Sequence, residues 1–146
     1  MFSKSKSDQE RLHDWRVFRQ LFDREIGTEQ TVVDAFKSVP TQRRFLDYYT
    51  PDSWPSVFEI VQQGMFCQTG ITLVMASTLV YLDFIKTKEI HLEVISNHIT
   101  GSEGLVLAYT GMYYNFVPGT IVSEEYVLDN STKFDSHIIA ADKLCS

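Results

Sequence analysis

Cys67 opens the chemistry of this chain. It sits in GMFCQTGITLVMASTLVYL (64–82), just ahead of a long apolar run that reads as a helix. A helix N-terminus carries about half a positive charge, and a cysteine placed there is favoured as thiolate, the form that attacks carbonyls and metals. A nucleophilic cysteine also needs a base, usually histidine, and a group that orients the base. Those partners are expected on a sheet packed against the helix. The same residue reads equally as a small hydrophobe at a helix start, since free cysteine is among the most buried residue types. Of the four histidines, His13, His91, His98 and His137, no two have metal-ligand spacing, and there is no CxxC pair, so no metal site is expected. No phosphate-binding glycine loop is present, and no cofactor is expected.

The elements that would position Cys67 follow from periodicity. The 146 residues suit one domain, 1–146, with one core. Leu12, Trp15, Phe18, Phe22 and Ile26 recur at spacings of three and four, predicting an amphipathic helix over 8–24. Short helices are predicted over 29–37, capped by Thr28, and over 41–49, where Arg43 and Arg44 offer an anion contact or a solvated surface. Ser56 and Glu59 have capping-box spacing for a helix ending at Gln63, with Gly64 suited to the position past its end. The apolar helix is placed at 70–86 with Thr69 as N-cap. It is apolar on nearly every side, which belongs in mid-core.

After residue 87 the pattern changes to strands. These are predicted at 88–96, 104–109, 113–117 (after a hairpin at Thr110-Gly111-Met112), 120–128 and 134–141. The fold class is therefore α+β: N-terminal helices, one buried central helix, then a four- or five-stranded antiparallel sheet.

Pro55, Gly64 and Cys67, followed by that apolar helix, resemble the transglutaminase-like and papain-like cysteine hydrolases. The resemblance covers 55–118. It implies a Cys-bearing helix packed on an antiparallel sheet, with His98 as base and Asn115 as its orienter, in the family's order along the chain. Gln68 would help polarise the substrate carbonyl, and no cofactor would be needed. The chain departs from the pattern at one point: the family's histidine usually begins the strand leading into the hairpin. Here that strand begins Glu103, Gly104, Leu105, and His98 lies six residues before Gly104.

Two functions are compatible with these residues. One is a small accessory protein on such a scaffold, of a kind common in phage, acting by protein–protein binding without catalysis. The other is an active cysteine amidase, peptidase or acyl-transfer enzyme using Cys67, His98 and Asn115. For the first, Trp15, Phe18 and Phe22 on the N-terminal helix (1–26) are the candidate anchors for a partner or a second copy, the alternative being that they pack on the domain itself. Net charge −6 argues against nucleic acid. Residues 1–25 carry six basic and five acidic side chains, and 26–146 carry seven and fourteen, so the body is acidic. Ile71–Leu82 is too short to span a membrane. MFSKSKSDQER has no apolar signal region, and two cysteines are no disulfide framework, so a reducing cytoplasm is expected, the host's if phage-encoded. Asn130-Ser131-Thr132 is read as turn chemistry.

Overall fold

The computed structural model describes residues 2, 6–41 and 46–144. Arg43, Arg44 and their neighbours at 42 and 45 lie outside that set; of the helix expected over 41–49, the described residues 46–49 form a turn and not a helix. Helices α1 (Asp8–Leu21), α2 (Glu29–Lys37), α3 (Val57–Gln63) and α4 (Gln68–Tyr81) come first, with a 3₁₀ turn at Pro51–Ser53. Then follow β1 (Glu89–Asn97), β2 (Glu103–Tyr109), β3 (Met112–Tyr114), β4 (Ile121–Ser123), α5 (Glu124–Asn130), β5 (Ser131–Ala140) and α6 (Ala141–Leu144). The five strands form one antiparallel sheet in the order β4-β3-β2-β1-β5. The expected α+β class is thus the observed one.

Local chemistry explains most boundaries. Ser7 and Glu10 close a capping box on α1. Ser56 Oγ accepts the amide of Glu59 at the start of α3, and Gly64 ends that helix in the left-handed region, at φ +67°. Thr110 and Gly111, both at positive φ, make the two-residue hairpin between β2 and β3. Helix α4 begins two residues earlier than the sequence suggests. Its N-cap is Cys67, not Thr69, and it ends at Tyr81. The strand expected over 120–128 is mostly helix. Ser123 Oγ accepts the amide of Tyr126, and Glu124 and Glu125 sit in the first turn, where the helix dipole favours acids.

Helix α4 is buried from Thr69 to Leu79 and stands between the sheet and helices α1, α2 and α3. Ile90, Leu92 and Val94 of β1 and Leu105 and Leu107 of β2 line the sheet's inner face against it. The outer face carries a smaller cluster, Ile95, Val106, Tyr113, Phe116 and Val127, under α5. Among the described residues no helix is long and apolar enough to cross a membrane.

The aromatic stripe of α1 packs on its own domain. Trp15 is buried, and its indole N–H donates to Thr78 Oγ1 of α4 at 3.0 Å. Phe18 and Phe22 are partly buried against the core, and Phe22 meets Phe84 edge-on. The three candidate anchors are therefore engaged inside the chain. Ile26, expected on the same stripe, is 83% exposed, because the helix ends at Leu21 and the chain turns before reaching it.

Candidate functional site

Cys67 is brought to the N-terminus of α4, as its place in the sequence requires. Its side chain, however, is fully buried in the main core. Sγ accepts one hydrogen bond, from the amide of Gly70 at 3.4 Å, which is the geometry of a helix cap. The thiol thus does locally what a serine does at other N-caps, here inside the main core.

The four imidazoles are committed or placed elsewhere. His98 lies in the β1–β2 connection, exposed, with Nε2 at 2.9 Å from Thr132 Oγ1 of β5. Its backbone amide donates to Asn130 O, which holds the residue toward β5, away from α4. His137 Nε2 is 2.7 Å from Tyr48 O. His91, exposed, lines an open cleft of about 320 Å³ on the outer face with Glu93, Tyr113 and Glu124. His13 is exposed on α1. Among the described residues, Cys67 has no imidazole partner.

Asn115 has a local task. It adopts φ +67°, its Oδ1 accepts the amide of Gly119 at 3.0 Å, and its own amide donates to Thr120 O. These contacts close the 115–120 loop and end β3 at Tyr114, short of the expected 113–117. No contact joins Asn115 to His98, and the expected Cys67–His98–Asn115 relay is not drawn together in this geometry.

Gln68 is the most specifically placed of the four expected residues. Its Oε1 accepts the amide of Leu105 at 2.8 Å, and its Nε2 donates to Leu105 O at 2.6 Å. A side-chain carboxamide thus occupies the place of a neighbouring strand's peptide group, where β2 runs past the end of β3. Gly104 leaves room for it: a Cβ there would lie 2.6 Å from Gln68 Oε1. The strand start that would carry the family's histidine is therefore packed against Gln68 and has no space for a side chain at 104.

Beside this contact is a cleft of about 170 Å³, walled by Gln68, Asn97, Glu103, Asn115 and Phe116 among others; Cys67 is not part of its wall. Two of these residues carry more of the local order than the sequence alone suggests. Asn97 is buried; its Nδ2 donates to Phe116 O at 2.7 Å, and its Oδ1 accepts the amides of Ile99 and Thr100. The sequence signal for it is an asparagine at a strand end before a glycine-containing turn. Glu103 Oε1 accepts the Tyr49 hydroxyl at 2.5 Å, and that bond, with some desolvation, pushes the exposed Tyr49 phenol up to about 12. Among the described residues, no group of three His, Cys, Asp or Glu side chains could hold a metal ion.

The fold is therefore a cysteine-capped core helix laid on an antiparallel sheet, with further helices on its other side. Solved structures with this fold include Legionella pneumophila LapG. Its calcium-bound form superposes with TM-score 0.68 at 12% identity over 94% of this chain and 82% of that one. An EGTA-treated form gives 0.66 at 12% identity, over 92% and 77%. At that identity the likeness concerns the fold. No protein-family model matches the sequence, and no curated protein matches it.

Proposed function

We propose that this chain is a binding protein built on a transglutaminase-like scaffold, with Cys67 serving as a packing and capping residue and not as a nucleophile. One observation carries the reading: the sulfur is 0% exposed, and its single hydrogen bond comes from the Gly70 amide. A cysteine that attacks a carbonyl needs access and a base within hydrogen-bond reach. The histidine that sequence order would nominate is 2.9 Å from a threonine on the far strand of the sheet. The working surface is the acidic body, where residues 26–146 carry seven basic and fourteen acidic side chains. Its partner is a protein with a basic face, because complementary charge speeds encounter and selects partners.

Thiol alkylation tests this. In a Cys145→Ser background, Cys67 of the folded protein should react with iodoacetamide near pH 6 at least about tenfold more slowly than free cysteine, and should react fully only after unfolding. Reaction faster than free cysteine would establish an accessible, activated thiol and return the chain to the catalytic reading. Cys67→Ala should leave the parent's biological activity in place.

A further inference from the structure

We propose that two copies of this chain pair through the outer edges of their β5 strands, antiparallel about a two-fold axis at Ser136, forming one continuous sheet. This does not depend on whether Cys67 is inert.

The sheet treats its two edges differently. At one end, β4 is three residues long, and the chain turns directly into α5, which packs over β3, β4 and β5. Short, covered edges are how sheets avoid pairing with other chains. At the other end, β5 is the longest strand, with ten residues, and seven of them are exposed. It contains no proline, and among the described residues no backbone bond outside the β1 ladder reaches its outer edge.

The pairing register can be worked out from the opposite side of the sheet. Both backbone polar groups of Leu105 go to Gln68, so they point away from β1. Leu105 faces Val94, and Val94 faces Asp135. In an antiparallel ladder, successive residues direct their N–H and C=O to alternate sides. Val94 therefore bonds toward β5, Asp135 and His137 bond toward β1, and Ser136 and Ile138 present their backbone groups outward. The Ser136 amide behaves as an outward amide should: lacking a strand partner, it donates to the Asp135 carboxylate beside it, at 2.8 Å.

A two-fold axis at Ser136 is self-complementary. Ser136 exchanges N–H···O bonds with its counterpart. Phe134, 54% exposed, falls opposite Ile138 of the second copy, 60% exposed, and does so twice. The register irregularity near Val94 and Ile95 leaves Phe134 out of the β1 ladder, so that it has no cross-strand partner within its own chain. Asp135 falls opposite His137 of the second copy, whose ring stays held at Nε2 by Tyr48 O of its own chain. Apolar cross-strand pairs are the units that stabilise such a contact.

Sedimentation of the full chain from about 1 μM to about 1 mM, the range expected for a small interface, tests the pairing. A concentration-dependent monomer–dimer equilibrium is expected. Ser136→Pro deletes the central amide but no bond to β1, and should raise the dissociation constant about tenfold or more. Ile138→Lys should do the same, and decides the matter if circular dichroism shows that the proline variant does not fold. A monomer at every concentration overturns the proposal, as does a dimer whose dissociation constant is unmoved by a folded variant of either kind.

Discussion

Replacing Gln68 by alanine isolates the contact that closes the open end of β2. The substitution takes the acceptor from the Leu105 amide and one of two donors from the Leu105 carbonyl; Thr72 Oγ1, at 3.0 Å, remains on the carbonyl. Leu105 is fully buried. An orphaned buried amide costs about 1–3 kcal/mol, and the carbonyl's loss is largely offset by Thr72, so the expected destabilisation is about 2 kcal/mol. For a chain of this size that lowers Tm by about 6 °C. Gly104→Ala should cost a similar amount in the parent, because its Cβ would meet Gln68 Oε1 at 2.6 Å and push the carboxamide off the strand. In the Gln68→Ala background the obstruction is gone, and the same alanine should be nearly neutral. The double-mutant cycle should therefore give a coupling of about 2 kcal/mol, well beyond the additivity of independent sites. Thermal unfolding followed by circular dichroism supplies the four stabilities, and hydrogen exchange at the Leu105 amide shows whether protection is lost. Additive effects, or a Leu105 amide as protected in Gln68→Ala as in the parent, would refute the idea that the carboxamide stands in for a strand.

The other expectations concern Cys67 and the buried phenols. Cys67→Ser should stay within about 1 kcal/mol of the parent in urea unfolding, because a serine hydroxyl accepts the Gly70 amide better than sulfur does, whereas Cys67→Ala should lose about 1–2 kcal/mol with the cap. Serine proving the costlier of the two would mean that the pocket is selected for sulfur and not for capping. Tyr114 donates to Glu29, and Tyr113 donates to Glu93 at 2.6 Å; burial first, and then the carboxylate, hold both phenols well above their ordinary value near 10. The folded state keeps these protons more tightly than the unfolded one, so their contribution is complete below pH 10 and is lost as pH rises beyond it. A Tyr113→Phe, Tyr114→Phe variant should show a flatter fall of Tm above pH 10, and an unchanged fall would assign it to other groups.

Much of the fold was legible because its signals are local. The all-round apolar run of α4, the Ser56 cap, Gly64, and the Thr110-Gly111 hairpin each act within a few residues, and each lies where the sequence places it. The 120–128 segment misled because Ile121, Val122, Tyr126 and Val127 look strand-like, while Ser123 and the two following acids specify a helix start that outweighs β propensity. The start of α4 shifted because cysteine is an unusual cap, so the eye passes to Thr69. The site was less legible for a different reason. The order Cys67, His98, Asn115 fixes which residues could meet but not which way each faces. His98 is turned toward β5 by its amide bond to Asn130, and Asn115 is held in its own loop by Gly119 and Thr120. Those contacts span the sheet or depend on a positive φ, and neither is written in a spacing. Gln68 was noticed for its position beside Cys67, whereas its partner, a backbone 37 residues away, emerges only in three dimensions.

The buried Asn97 amide ties two connections into a single piece. Its nitrogen holds the carbonyl of Phe116, and its oxygen holds the amides of Ile99 and Thr100. The β1–β2 turn and the β3–β4 loop cannot swing apart without breaking that buried amide's bonds. The hollow between them is accordingly a fixed mould. Anything seated there would have to match its shape on arrival.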